Sequence, residues 1–405
     1  MKKMMMMAFV LMAGTMTYAG DSDALKAVLK AKQYQEAAQL LKSNLDQMAD
    51  NSEKAKAYNH LVDLALSKVS NEVGTMTENQ MAKQMGSGKE KAYDTLGLAD
   101  AICDAIDMAI ECNKYDQQPN AKGKVAPKFD KKNAERIWAL RSHLVSIGQD
   151  VARNDNSAAV LKYWGAYVDS SEDPFFAAQD HKPEQEYIGQ VAYYAGRYAF
   201  DAKQMDRANK YFEVAKRDPQ QKADALNFQL YAMRSNLKSH ADSVAFANQL
   251  KDMYQADPEN DAVLDALNAM YDGMKDREAQ KALLDSHLAK YPNSFTALAN
   301  KGMMAMSDNN AAEAAEWLRK AAAAKPDNAV VFTYLGVCLS SQGATSEDPA
   351  KTRQFYTEAI EAFDKAKELD PDRRMANWGY NRYQAYYGLY GADDPKTKAA
   401  EADMK

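Results

Sequence analysis

Cysteine is scarce in this chain, with Cys103, Cys112 and Cys338 the three copies among 405 residues. Cys103 and Cys112 fall on one predicted helix, about 13.5 Å apart along its axis, which no disulfide spans. A disulfide framework is therefore not expected, and the three thiols read as small buried hydrophobes. Histidine is nearly as rare: the five lie on separate predicted elements, without Cys, Asp or Glu at metal-ligand spacing. Neither a His-Glu-x-x-His pattern nor a nucleophile elbow occurs, so no catalytic residue, no metal and no cofactor is expected. Long apolar runs are also missing beyond the amino terminus, which argues against an integral membrane segment. Basic side chains number 51 against 57 acidic ones, for a formal charge of −6, a balance opposed to nucleic acid as the main partner.

Proline is sparing too, yet its placement is regular. Pro258, Pro292 and Pro326 follow one another at intervals of 34 residues, and Pro371 comes after one such interval plus eleven more. Each stops a helix, because proline disfavours helical geometry in the residue before it. Between them Phe332, Leu335, Gly336 and Leu339 mark one helix, and Ala359, Phe363 and Ala366 mark the next. Small residues at Gly302, Ala314 and Ala321, and again at Gly336, Ala359 and Ala366, let two antiparallel helices approach closely. One such pair cannot bury its own apolar face, so pairs must stack.

This pattern of an aromatic or Leu, then Leu-Gly, then Ala, a large residue, Ala and a closing Pro resembles the tetratricopeptide repeat (TPR). The resemblance implies an all-α fold, a right-handed α-solenoid of antiparallel helix pairs. It is strongest over residues 261–370, and the full array is expected over 188–371, followed by a capping helix at 372–390 and a mobile polar tail at 391–405. Residues 21–187 read as divergent repeats with long loops. There the apolar periodicity predicts helices over 53–69, 93–113, 134–152 and 157–168, with loops at 70–91 and 114–132. The second loop carries Lys122, Lys124, Lys128, Lys131 and Lys132, a run that reads as solvated. The stretch 170–183, with Phe175 and Phe176, has no helical period and is expected to tuck under its neighbours. An eleven-residue excess in the last repeat predicts a projecting insertion at 341–352.

Two apparent sites fail on inspection. Gly86-Ser87-Gly88-Lys89 lacks the glycine a phosphate loop needs where Lys83 stands, and Glu90 replaces its Ser or Thr. Asp169, Ser171 and Asp173 begin like a calcium loop, but Pro174 occupies the glycine position.

The first twenty residues have the form of an export signal: Lys2 and Lys3, an apolar run over residues 4–12, and Thr17-Tyr18-Ala19 before the cut. No cysteine stands at the cut, so a periplasmic or otherwise exported protein is expected, and not a lipoprotein. The function expected is a non-enzymatic scaffold of the bacterial envelope that binds a protein or peptide partner; the sequence sets no oligomeric state. In the TPR family the first helix of each pair lines the groove. Carried onto this sequence, that gives Phe228 and Tyr231, Asp265 and Asp272 around Ala269, Met303 and Met306, Thr333 and Val337, then Tyr380 and Tyr383. The trough is mainly apolar and aromatic with acidic spots, suited to an extended or helical peptide. Some family members grip a terminal carboxylate with Lys and Asn; of the matching residues here only Asn300 is of that type, so such a clamp is not expected. The alternative is a glycan or small-ligand binder that stacks sugars on Tyr163-Trp164, Tyr193-Tyr194 and the aromatics of 378–390.

Overall fold

A computed structural model describes residues 20–86 and 90–404. The expected export signal and most of the rejected phosphate loop therefore lie outside the described residues. Among the described residues every regular element is helical, and the chain divides between Ala225 and Leu226 into two compact units.

The first unit opens with α1 (Asp23–Lys30) and α2 (Tyr34–Asn44), which bury Leu25, Val28 and Leu41 against Leu61 of α3 (Asn51–Gln84). Helix α3 pairs with α4 (Thr95–Asp116). The expected loop at 70–91 is thus mostly helix. Gly74 costs a helix only about 1 kcal/mol against alanine, and here a Cβ would meet open space. On either side of it, the hydroxyls of Ser70, Thr75 and Thr77 donate to carbonyls four residues back. The buried Asn79 then grips Lys91 twice, its amide donating to the Lys91 carbonyl and its carbonyl accepting from the Lys91 N–H, both at 2.8 Å.

The helix expected at 134–152 is broken into α5 (Asp130–Trp138) and α6 (Ser142–Arg153) by a tight turn over residues 139–141. The turn drives Arg141 into the interior, where it is 1% exposed. Its guanidinium lies 3.9 Å from the Trp138 ring centre and 4.8 Å from that of Tyr167. It donates to Ser170 Oγ at 2.7 Å, to the Tyr167 carbonyl at 2.9 Å and to Glu184 Oε2 at 3.2 Å. Glu184, also buried, accepts from Tyr167 Oη at 2.9 Å and pairs with His181 at 2.8 Å. The segment 172–187 is held by this network, with Phe176 fully buried beneath it.

Helix α7 (Ser157–Ser171) packs on α6 and on α8 (Ile188–Asp201), which pairs with α9 (Met205–Ala215). The first unit therefore includes the α8–α9 hairpin, the opening hairpin of the expected regular array. Ties back to α7 explain this: Tyr211 and Lys210 reach Asp169 at 2.9 and 2.7 Å, and Arg217 forks onto Glu172 at 2.7 and 2.8 Å. The next helix, α10 (Lys222–Ser235), spans the division.

The second unit is regular. Leu226 and Leu230 of α10 pack with α11 (His240–Ala256) and α12 (Asp261–Gly273). After α12 come α13 (Arg277–Lys290), α14 (Phe295–Ser307), α15 (Ala311–Ala324), α16 (Ala329–Thr345) and α17 (Pro349–Leu369), each touching the next. Asn260, Ser294 and Asn328, one period apart, cap the first helices by accepting from Val263, Ala297 and Val331 N–H groups. Lys275 and Asn309, again one period apart, take φ of 58° in the turn between paired helices. At the crossings the glycines lie under large side chains, not merely opposite alanines. A Cβ on Gly302 would stand 2.7 Å from Leu318 Cγ, and one on Gly336 equally close to the Phe363 ring.

Two expectations for this unit change. The insertion at 341–352 is not a loop: α16 and α17 lengthen to 17 and 21 residues and leave only 346–348 between them. Nor is the tail at 391–405 loose through its described part. Helix α18 (Gly379–Tyr390) is followed by α19 (Pro395–Glu401), which buries Thr397 and Ala400. Asp403 then accepts from Lys367 at 2.9 Å and from Arg382 at 2.7 Å, and Arg373 donates to its carbonyl at 2.6 Å.

Candidate functional site

The face presented by the first helices of the second unit is the surface to test. Helices α12 and α14 touch directly, as do α16 and α18. Asn300 on α14 donates to Asp265 on α12 at 2.9 Å, so residues from successive repeats meet on this face. That bond also occupies the one asparagine that a carboxylate clamp would use.

The ten residues assigned to the groove separate by exposure. Tyr231, Met303 and Tyr380 are 59%, 36% and 56% exposed, and Asp265 and Asp272 are exposed beside them. Phe228, Met306, Val337 and Tyr383 are half-buried; Met306 and Val337 pack on the core of α14 to α17. Thr333 is a correction. It is buried, and its hydroxyl donates to the Ala329 carbonyl at 2.9 Å, so it serves its own helix and offers nothing to a partner.

The aromatic alternative changes more. Tyr163, Trp164, Tyr193 and Trp378 are all core, because each fills the space beneath a neighbouring helix or turn; the Trp378 indole donates to the Asp370 carbonyl at 2.8 Å. What remains open is Tyr194 in the first unit and the row Tyr380, Tyr387 and Tyr390 on α18.

The first unit holds a groove that sequence reasoning missed. It encloses about 780 Å³ between α4, α7 and the α8–α9 turn. Ile110, Ala158 and Ala166 form its apolar surface, backed by the buried Ile106 and Leu161, and Tyr198 one edge. Lys162 is paired with Asp100 at 2.8 Å, and Lys210 and Arg207 with Asp169 at 2.7 and 3.7 Å. Asp107 and Asp201 line the same groove, are exposed, and make no hydrogen bond or ion pair among the described residues. Crowding by the walls, then the nearby Asp104 carboxylate, raise the Asp107 carboxyl above its ordinary value. Residues 157–210 belong to helices far apart in sequence from α4, so only the fold assembles this lining.

The histidines stay apart. His60 bonds the Ala31 carbonyl, His181 bonds Glu184, and His287 bonds Tyr254 Oη at 2.9 Å. Burial holds the His287 imidazole below its ordinary range. The rejected calcium positions are spent likewise: Asp169 pairs with Lys210, Ser171 with Glu184, and Asp173 caps Phe175 N–H at 2.8 Å.

The helix pairs, their 34-residue spacing and their glycine crossings give the chain the tetratricopeptide form of fold, an all-α array of stacked hairpins in each unit. No protein-family model and no curated protein sequence matches the chain. Among solved structures, a thermophilic TPR protein of Thermus thermophilus is 16% identical, covering 50% of this chain and 98% of its own, with a TM-score of 0.34. A tetratricopeptide repeat protein from Parabacteroides merdae is 10% identical over 65% of this chain and 98% of its own, again at 0.34. The human IFIT1 dimer with m7Gppp-AAAA is 13% identical over 82% of this chain and 72% of its own, at 0.38. At these scores the correspondence is partial, and the fold rests on the chain's own hairpins.

Proposed function

We propose that this chain is a non-enzymatic scaffold of the bacterial envelope that holds a protein segment against the first helices of its second unit. The observation that carries the reading is the exposure of Tyr231, Met303 and Tyr380 on such helices, with Asp265 and Asp272 among them. Singly exposed apolar side chains are ordinary, so the reading needs them to act together, and the link that supports this is Asn300, one turn from Met303, meeting Asp265 of the preceding first helix. A segment with apolar side chains at intervals would insert them there, with a basic group near Asp272.

Export belongs to the same proposal and rests on Lys2, Lys3 and the apolar run that follows. Sequencing of the amino terminus of protein recovered from cells should begin at Gly20; an intact Met1 would remove the envelope from the reading. For the surface, the test is capture from envelope extract by wild type and by a Tyr231→Ser, Asp272→Lys, Met303→Asp triple variant. Partners held by wild type should be lost from the variant, and retention of every one would remove the surface from the proposal. The tyrosine row on α18 favours glycan binding as a second reading, since aromatic faces stack on sugars; a silent glycan array ends it.

A further inference from the structure

The groove of the first unit has a chemistry of its own. Its three cations, Lys162, Arg207 and Lys210, are balanced by three acids: Asp100 and Asp169, which pair with them, and Asp173 on the same lining. The acids Asp107 and Asp201 are not so balanced. Negative charge is therefore in surplus along a wall whose neighbouring surface, at Ile110, Ala158 and Ala166, is hydrocarbon. A free metal ion or a polyamine would satisfy the carboxylates and leave the hydrocarbon unused. An acidic segment would meet the surplus charge and be repelled.

We infer that this groove docks a basic, apolar-patterned protein segment, in which Lys or Arg side chains meet Asp107 and Asp201 while intervening aliphatic side chains cover the hydrocarbon at Ile110, Ala158 and Ala166. The aliphatic stems of Lys and Arg suit such a site, because they pack on hydrocarbon while their heads reach charge. This docking surface is separate from the first-helix face proposed above, so either can fail alone. The two free carboxylates set the sign of the partner, and their like charges are relieved when it binds. Binding should accordingly weaken with salt.

The test uses the full chain and a fluorescent twelve-residue peptide alternating Lys and Leu, with a Glu-Leu peptide as its counterpart, followed by anisotropy at physiological salt. The peptide also carries a photoreactive benzophenone, so that the contacted helices are mapped. Wild type should bind the Lys-Leu peptide at least tenfold more tightly than the Glu-Leu peptide, with crosslinks on α4, α7 and α8. An Asp107→Lys, Asp201→Lys variant should bind at least tenfold more weakly, an Asp107→Asn, Asp201→Asn variant should fall between, and Glu316→Lys, on an exposed second-helix position outside both surfaces, should leave the affinity unchanged. All of these are surface substitutions whose far-ultraviolet spectra should match wild type. Failure of wild type to bind overturns the inference, as do equal affinities for both peptides, crosslinks outside the three helices, or full binding by the doubly reversed variant. It is overturned equally if sedimentation shows the groove filled by a second copy through its lysine-rich loop at 122–132.

Discussion

The α6–α7 hairpin of the first unit and the α14–α15 hairpin of the second both set a glycine sixteen residues before a large side chain, Gly148 under Trp164 and Gly302 under Leu318. The α8–α9 hairpin repeats the arrangement with Gly196 under Phe212. All three carry a non-glycine residue in left-handed geometry at the turn: Asp155, Asn309 and Lys203, with φ between 56° and 58°. Hairpin geometry is thus common to the two units. What differs is the fastening between hairpins. The second unit repeats caps, turns and alanines at one spacing, and neighbouring hairpins supply each other's core. The first interrupts that spacing with segments 117–129 and 172–187, and anchors them by polar groups that reach across tens of residues. Asp116 accepts from the Lys128 and Phe129 N–H groups, both at 2.7 Å, and Arg141 with Glu184 locks the second segment. Regular repeats stabilise themselves; irregular ones need long-range ties.

The largest effect should come from breaking the tie that has no counterpart in the second unit. Arg141→Ala takes the buried cation from Glu184, which keeps only Tyr167, Ser171 and the half-buried His181, and removing one partner of a buried pair costs about 3–5 kcal/mol. Denaturant unfolding should show that loss, with increased hydrogen exchange concentrated in 172–187; an unchanged midpoint would mean that packing alone holds the segment. Next in size, Gly302→Ala forces a Cβ into Leu318, an overpacking worth about 1–3 kcal/mol. The loss should appear as a lower Tm, and the same change at Gly74, where space is open, should be neutral or stabilising.

Smaller and opposite in sign is Asn268, which stands one period before Gly302. Its side chain is buried and its Oδ1 has no partner. Leaving such a group unsatisfied costs about 1–3 kcal/mol. Asn268→Ala should therefore raise Tm, and a fall would show that the amide has a role in packing. The smallest effect is pH dependence in the second unit. The His287 imidazole has a folded pKa held below its ordinary 6.5, by burial, so the neutral form is favoured by folding. Its contribution is fully present above pH 6.5 and is lost as pH falls through the folded value. Between about pH 7.5 and 5 the stability of wild type should decline more steeply than that of His287→Asn; equal slopes would show that the ring does not titrate across folding.

The second unit was largely legible in the sequence because its determinants are local and periodic. Proline spacing, Gly336 with Phe363, and the Ala pairs each act within one hairpin. Where reading failed, the cause was tertiary. Nothing near residue 74 announces that α3 continues, since the clamp on its far end is Asn79 closing on Lys91. Arg141 sits in an apolar helical period and looks like a surface charge until Glu184 arrives from 43 positions away. The tail at 391–405 is polar in composition, yet Asp403 is taken up by Lys367 and Arg382. Of the groove residues, the first-helix rule taken from the family resemblance could not separate exposed Met303 from buried Thr333, whose surroundings are set by the neighbouring helices. The acidic groove of the first unit draws on α4 and on 157–210, so no single stretch displays it.

The most direct measurement places a photoreactive amino acid at Met303, on a first helix, and separately at Glu316, which is exposed on the paired second helix. Each full-length variant is irradiated in cells, and the adducts are identified by mass spectrometry. A scaffold that works through its first helices predicts one defined protein partner captured from Met303 and none from Glu316. Equal capture from both positions, or capture from Glu316 alone, would contradict it.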